Sequence, residues 1–271
     1  MPPSIDFNHP LAVKIRKEIV RALHDFDMIK PNESIVIGVS GGKDSTILSL
    51  MFKEIQKRAP FPFTFECLCL DQKQPGFDAT EFKSFFKSQD LPLTIIEKDT
   101  YSIVKEKTPE GATYCTLCSK FRRAILYDQI KLKGSYKMAL GHHRDDLIET
   151  LFLNMFYSGS LASMPPKLLN DDKSHIVIRP LCYIPESQLI ELSQIWNFPI
   201  IPCNLCGSQE GMKRKKMKAL IQTLEKDIPN ISSSLLSAMG KINPAQLMDH
   251  SLWDFKNLEE KIILSERTTR Q

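Results

Sequence analysis

The sequence has no run of about eighteen apolar residues, which a membrane-spanning helix would need. Residues 1–6 lack the basic head and apolar core of a secretory signal. No Gly/Ser-rich linker, internal repeat or low-complexity tract interrupts the chain. We therefore expect neither a membrane protein nor a secreted protein nor a repeat array, but a globular, cytoplasmic one.

A strong charge imbalance is also missing, because 36 basic residues face 32 acidic ones and give a net charge of +4. Such a mild excess permits binding to a nucleic acid without requiring it. The hydrophobic content of 42% is ordinary for a globular protein, and 271 residues suffice for one large α/β domain or two small ones.

A short Ser/Gly turn carries the clearest chemical signal. An apolar, β-branched run at residues 34–39 enters the turn, and a helical apolar pattern follows it. The turn consists of Ser40, Gly41, Gly42, Lys43, Asp44 and Ser45. Adjacent glycines let backbone N–H groups approach an anion, and the helix N-terminus adds further donors. With the lysine charge and the serine hydroxyls, this pocket suits a pyrophosphate.

The turn differs from a Walker A loop, which requires Gly-x-x-x-x-Gly-Lys-Ser/Thr. Here Lys43 follows the second glycine directly, and Asp44 comes next. A carboxylate beside phosphates is explained if Mg²⁺ is held between them. An ordinary strand–turn–helix without a ligand would account for the two glycines. It would not explain Lys-Asp-Ser, because these polar residues are not needed for packing.

Strands and helices alternate along most of the chain. We expect strands at 34–39, 63–70, 93–97, 137–140 and 175–179, and helices at about 10–27, 44–58, 78–90, 121–133 and 145–157. This alternation predicts an α/β fold with a doubly wound, mostly parallel sheet. Ligands of such sheets bind beyond the carboxyl ends of the strands, where Ser40, Asp71 and Gly141 lie, so one pocket can gather them.

Helical patterns flank this predicted sheet. We divide the chain into an N-terminal helical extension at 1–30, a nucleotide-binding domain at 31–209 and a C-terminal helical extension at 210–271. The last extension carries a basic run at 213–218. That run is either a solvated helix face or an RNA contact.

Four of the seven cysteines form two Cys-x-x-Cys pairs, Cys115 with Cys118 and Cys203 with Cys206. In an intracellular chain, such pairs indicate a metal site rather than disulfides. Their spacing fits a four-cysteine zinc site as well as an iron–sulfur site. If only three of them bound a cluster, one iron would be free to hold an added sulfur. The other cysteines are expected to be buried thiols: Cys67, Cys69 and Cys182.

A second acidic motif, Gly-His-His-Arg-Asp-Asp, ends a strand at Gly141 and opens a helix. Asp145 and Asp146 in the first turn favour the helix dipole. Alternatively, a carboxylate aids Mg²⁺–ATP binding or orients the reacting base, and either role is open to either aspartate. His142 and His143 are either ligands, acid–base groups or hydrogen-bonded structural residues.

The turn at 40–45 resembles the PP-loop of the N-type ATP pyrophosphatases. The whole chain from about 10 to 256 resembles the tRNA 2-thiocytidine synthetases, the cytidine-thiolating branch of that superfamily. The likeness includes Leu-Asp-Gln-Lys-Gln-Pro-Gly-Phe at 70–77, Cys-Thr-Leu-Cys at 115–118, Gly-His-His-Arg-Asp-Asp at 141–146, Met-Pro-Pro-Lys at 164–167 and Pro-Cys-Asn-Leu-Cys-Gly-Ser-Gln at 202–209.

The resemblance implies a reaction. The C2 carbonyl oxygen of cytidine 32 in the tRNA anticodon loop is adenylated by ATP, and a sulfur nucleophile then displaces AMP to leave 2-thiocytidine. The implied ATP and Mg²⁺ site comprises Ser40, Gly41, Gly42, Lys43, Asp44, Ser45, Asp71 and Gly141. The residues expected to be catalytic are Lys43, Asp145, Asp146 and Cys203.

The resemblance also implies a 4Fe-4S cluster held by three cysteines. We expect Cys115, Cys118 and Cys206, because Cys-Gly-Ser-Gln resembles the single-cysteine segment of related thiouridine enzymes. Cys203 would then be a spare thiol that relays a persulfide. The expected partners are tRNA and a cysteine desulfurase or another persulfide donor. We also expect a homodimer.

Two other functions fit parts of the pattern. One is a different PP-loop reaction, either amide formation or tRNA 2-thiouridine synthesis. Amide formation needs no cluster, so the paired cysteines argue against it. The other is a zinc-stapled RNA-binding module with a vestigial nucleotide site, and the intact Lys43, Asp44 and Ser45 argue against that.

Overall fold

The computed structural model describes residues 3–74, 76–107, 114–201 and 209–259. The strands in these ranges are β1 (Ser34–Val39), β2 (Thr64–Asp71), β3 (Leu93–Glu97), β4 (Lys137–Leu140), β5 (Lys167–Leu169) and β6 (Ile176–Ile178). The α-helices there are α1 (Pro10–Asp25), α2 (Lys43–Arg58), α3 (Thr80–Ser88), α4 (Tyr101–Lys107), α5 (Tyr114–Leu132), α6 (Arg144–Ser158), α7 (Glu186–Trp196), α8 (Gln209–Asp227) and α9 (Ile231–Met239), and a 3-10 turn follows at Pro244–Gln246.

The six strands form one sheet in the order β3-β2-β1-β4-β6-β5. Every neighbouring pair is parallel except β5 and β6, which are antiparallel at the edge. The chain runs outward from β1 through β2 to β3 and then crosses back to β4 on the other side of β1. The order therefore reverses between β1 and β4, which is where open α/β sheets bind ligands.

Helices cover both faces of the sheet, and the alternation of side chains along β1 shows this. Ile35 and Ile37 face the larger core cluster, which includes residues of α1, α2, α3 and α7. Val36 faces a second cluster with Ile125 and Ile130 of α5. The predicted doubly wound, mostly parallel α/β fold is confirmed.

Helix α1 contributes directly to the core. Ala12, Ile15, Ile19 and Ala22 are fully buried. Because these residues lie at i, i+3, i+7 and i+10, they form one apolar stripe along the helix. The boundaries of the three predicted segments stay a prediction.

The C-terminal helices pack on α6. Met217 and Ile221 of α8 are buried against Ile148 and Phe152 of α6, in a third cluster. This packing places the basic run of α8 beside the start of α6. Among the helices that the structure describes, none is long and apolar enough to cross a membrane.

The three cysteines predicted to be buried thiols are buried and free: Cys67, Cys69 and Cys182. Burial raises the pKa values of their thiols to about 12, 11 and 12, respectively. They are therefore protonated and poorly nucleophilic at neutral pH.

Candidate nucleotide site at the carboxyl edge of the sheet

The Ser/Gly turn connects β1 to α2 and is fastened by its own hydroxyl groups. The Ser40 N–H donates to Ser45 Oγ at 3.2 Å, and Gly42 N–H donates to Ser40 Oγ at 3.3 Å. The hydroxyls of Ser45 and Thr46 both donate to the Gly42 carbonyl, at 3.2 and 3.0 Å. Gly42 is the N-cap of α2 and offers no side-chain cap, so the first N–H groups of this helix are available to an anion.

At two positions of the site, close contacts leave no room for a side chain larger than that of glycine. Gly41 has a φ of +84°, and a Cβ there would lie 2.7 Å from the Cβ of Ile201. A Cβ on Gly141 would lie 2.9 Å from the backbone nitrogen of Ser45. Gly141 therefore packs directly on the first turn of α2, and the structure brings together the ends of β1 and β4 as the sequence predicts.

Lys43 lies between two carboxylates. Its Nζ is 3.2 Å from Asp44 Oδ2 and 3.4 Å from Glu186 Oε1 at the start of α7. Burial raises the pKa of Asp44 even though the Lys43 charge opposes the shift. The Oδ1 atom of Asp44 is buried and accepts no hydrogen bond within the described structure, and its one charged neighbour there is Lys43 Nζ at 3.2 Å. A buried carboxylate oxygen in this state is suited to a metal ion.

The two histidines of the second acidic motif differ in environment. His143 caps α6: its N–H donates to Asp146 Oδ2 at 3.1 Å, and its Nδ1 accepts from the Asp146 N–H at 3.4 Å. This reciprocal pair gives His143 a structural role. Burial lowers the pKa of His142 to about 4, so that imidazole is neutral at neutral pH.

The two aspartates face different partners. Asp145 accepts from Arg144 Nη2 at 2.8 Å, and its other oxygen accepts from the Glu186 N–H at 2.5 Å. Asp145 thus ties the first turn of α6 to the first turn of α7. Asp146 directs Oδ1 towards Arg214 of α8, whose Nη1 lies 3.5 Å away.

Helix α8 adds two cations that the sequence analysis did not assign to the site. The Nε atom of Arg214 lies 3.9 Å from Glu149 Oε2, and its guanidinium also lies beside Asp146. Lys218 donates a hydrogen bond to Glu186. Burial and the nearby Asp146 charge raise the pKa of Glu149 to about 7, against the opposing charge of Arg214. The i, i+4 spacing of Arg214 and Lys218 is the signal that could have placed both on one helix face.

Asp71 ends β2 at the same edge of the sheet, but the described contacts of its side chain are local. Its Oδ1 accepts from the Lys73 N–H at 2.7 Å, and its Oδ2 lies 3.2 Å from Lys73 Nζ. The next residue, Gln72, contacts α5. Its amide nitrogen donates to Thr100 Oγ1 at 3.1 Å, and its amide oxygen accepts a hydrogen bond from Arg122 at 2.8 Å.

The cysteine prediction falls largely outside what the structure describes. Cys203 and Cys206 lie outside the described residues, and only the backbone of Cys115 and Cys118 is described. That backbone is helical, in the first two turns of α5. Because α5 leads into the start of β4, its own first turn lies towards the carboxyl edge of the sheet. Within the described residues, no group of three or more His, Cys, Asp or Glu side chains is placed to hold a metal ion.

Comparison with known proteins identifies relatives along the whole chain. A family of PP-loop domains matches residues 11–199. The tRNA-cytidine(32) 2-sulfurtransferase of Bdellovibrio bacteriovorus is 55% identical, over 96% of this chain and 100% of that protein. The protein of the same name from Coxiella burnetii (strain Dugway 5J108-111) is 45% identical, over 90% of this chain and 96% of its own length.

A solved structure shares the fold. The U34-tRNA thiolase NcsA from Methanococcus maripaludis, solved with its [4Fe-4S] cluster, aligns with a TM-score of 0.69 at 19% identity, covering 86% of this chain and 80% of that one. With this fold, the matched PP-loop domain and full-length relatives, the chain belongs to the tRNA-cytidine(32) 2-sulfurtransferase family of PP-loop proteins.

Proposed function

We propose that the protein thiolates cytidine 32 of tRNA in the cytoplasm, converting ATP to AMP and pyrophosphate and leaving 2-thiocytidine. The observation that carries this proposal is the intact turn around Lys43, in a chain 55% identical over its length to a tRNA-cytidine(32) 2-sulfurtransferase. A pyrimidine carbonyl is a poor electrophile, and adenylation makes its oxygen a leaving group.

The turn handles the phosphates. The uncapped N–H groups at the start of α2 and the ammonium of Lys43 stabilise the negative charge that develops on the departing pyrophosphate. Asp44 would hold Mg²⁺ through its buried carboxylate, and the bound ion would neutralise charge on the phosphates.

The second acidic motif acts on the base. Asp146, with one oxygen directed towards Arg214, is the carboxylate that orients the cytidine or the ATP-bound metal. Asp145, with both oxygens bound by Arg144 and the Glu186 N–H, holds the first turns of α6 and α7 together. The cytidine becomes reachable because an anticodon loop can splay a base out of its stack.

The cysteines supply the sulfur end of the reaction. Two hydrogen bonds support a position of the cysteines near the turn. Arg122, one helical turn after Cys118, donates to Gln72. Ile201, two residues before Cys203, donates to the Gly41 carbonyl at 2.9 Å. Two residues of chain span at most about 7 Å. Cys115, Cys118 and Cys206 would hold a 4Fe-4S cluster, which when bound would supply an open coordination position for the incoming sulfur.

The remaining proposals concern partners. Cys203 relays a persulfide from a cysteine desulfurase or another persulfide donor, and the protein works as a homodimer on tRNA. If one tightly bound zinc per chain were found in anaerobically prepared protein instead of iron and labile sulfide, the cysteines would be a structural staple.

Nucleoside mass spectrometry tests the function. We expect tRNA from cells lacking this protein to contain no 2-thiocytidine, and the wild-type gene to restore it. Lys43→Met should fail to restore it, whereas Lys57→Met, an exposed control in the same helix, should succeed. Restoration by Lys43→Met at wild-type protein levels would contradict the role given to the turn.

A further inference from the structure

One carboxylate joins three elements at the nucleotide site. Glu186, the first residue of α7, presents Oε1 to the ammonium of Lys43 at 3.4 Å. Its other oxygen, Oε2, accepts a hydrogen bond from Lys218 of α8. Two ammonium groups, one from the turn and one from a helix more than 170 positions later, therefore converge on the two oxygens of a single acidic group.

Glu186 and Lys218 favour each other's charged forms. Burial by itself would raise the pKa of Glu186, but the hydrogen bond from Lys218 and the charge of Lys43 outweigh it and lower the pKa. The same hydrogen bond raises the pKa of Lys218. A phosphate offers what this carboxylate offers, namely several oxygens that share negative charge and accept from two ammonium donors at once.

We infer that Lys218 is a second phosphate-binding lysine of the nucleotide site, and that Glu186 pairs the two lysines until a triphosphate displaces it. This inference rests on the proposed ATP site at the turn. The Glu186 side chain is 21% exposed, so it can rotate towards water when phosphate takes its place. Helix α8 then completes the pocket rather than merely flanking it.

The orientation of the basic run supports this assignment over an RNA contact for Lys218. Lys215 and Lys216 are exposed, whereas Lys218 is partly buried and turned towards Glu186. Met217, between them, is buried against α6 and fixes the rotation of the helix. The exposed lysines are the ones positioned for an RNA backbone, and Lys218 is the one positioned for the pocket.

Calorimetric titration with pyrophosphate and with a non-hydrolysable ATP analogue tests the inference. Because a charge-assisted hydrogen bond is lost, we expect Lys218→Met to weaken both ligands about tenfold or more. Glu186→Gln should have the opposite effect and tighten pyrophosphate severalfold, because the competing anion is gone. Lys216→Met, an exposed control on the same helix, should bind as the wild type does.

Several outcomes would overturn the inference. Wild-type pyrophosphate affinity in Lys218→Met, or weaker binding in Glu186→Gln, would make the trio a structural ion pair. A loss of tRNA affinity in Lys218→Met with unchanged pyrophosphate affinity would place Lys218 on the RNA surface. If Lys218→Met does not fold, Lys218→Arg and Glu186→Gln decide, since both retain the packing of α8. Absence of pyrophosphate binding by the wild type would instead refute the proposed nucleotide site, and this inference with it.

Discussion

The backbone N–H of Ile201 donates to the carbonyl oxygen of Gly41 at 2.9 Å, and the Ile201 side chain packs on the same glycine. This contact fastens the chain immediately before the second cysteine pair to the phosphate-binding turn. It joins the turn to Ile201, about 160 positions later in the sequence.

The first prediction concerns Gly41. Gly41→Ala would add both backbone strain, from a φ of +84°, and a clash with Ile201. Gly134→Ala is the matched control, because Gly134 has a φ of +67° and open space around it. We expect the control to lose about 1 kcal/mol of unfolding free energy and to keep pyrophosphate affinity. Gly41→Ala should lose a further 1–3 kcal/mol or so and bind pyrophosphate poorly.

Urea unfolding and pyrophosphate titration of both variants make this comparison. Equal stability losses in the two proteins, with pyrophosphate affinity intact in both, would show that Ile201 does not press on the turn.

The second prediction separates the two aspartates. Asp145→Asn weakens the tie between α6 and α7, so we expect the unfolding free energy to fall by about 1–2 kcal/mol with kcat nearly unchanged. Asp146→Asn retains a capping oxygen but loses the charge near the reacting groups, so kcat should fall about a hundredfold or more. Single-turnover thiolation and urea unfolding of each variant give the answer. The reverse pattern would assign the reacting role to Asp145.

The third prediction follows from Glu149, whose pKa rises from 4.5 to about 7 in the folded protein. Between these two values the folded state keeps a proton that the unfolded state has lost, so stability falls as pH rises through this window. Its side chain is 7% exposed, and the full shift corresponds to a cost of about 3 kcal/mol above pH 7.

Glu149→Gln, which cannot ionise, should therefore stabilise the protein at about pH 8 and have little effect below about pH 5. Unfolding curves across this range test it. If Glu149→Gln stabilised the protein equally at low and at high pH, the gain would come from packing rather than from the loss of an ionisable group.

The fourth prediction concerns the second cysteine pair. After anaerobic reconstitution, Cys206→Ser should lose the iron and the visible absorbance of the cluster. Cys203→Ser should retain both while losing multiple-turnover thiolation, because only the persulfide relay is removed. If Cys203→Ser alone lost its iron, Cys203 would be the third cluster ligand and Cys206 the persulfide relay.

Local patterns predicted much of the fold. The predicted strands at 93–97 and 137–140 have the observed bounds of β3 and β4, because short apolar runs between breakers define them. Strand β5 was missed because it is a three-residue edge strand, directly after two prolines, with Leu168 and Leu169 exposed. Helix α5 begins seven residues before the predicted helix at 121, and the short α4 and α7 were not predicted.

The site was predictable only as far as its signals were local. The turn and the acidic motif are contiguous in the chain, and both lie where the strand ends suggested. The pairs that link them to α7 and α8 join residues 143 and 68 positions apart, and no periodicity encodes such pairs. For the same reason, the basic run could not be resolved in advance: Lys218 turns inward to Glu186, whereas Lys215 and Lys216 remain exposed.

The fate of one oxygen atom tests adenylation of the base most directly. A tRNA carrying oxygen-18 at C2 of cytidine 32 is incubated with ATP, a sulfur donor and anaerobically reconstituted protein, and the AMP is analysed by mass spectrometry. Because the carbonyl oxygen attacks the α-phosphate and leaves with it, we expect one labelled AMP for each 2-thiocytidine formed. Unlabelled AMP accompanying 2-thiocytidine, or thiolation without AMP, would contradict the proposed reaction.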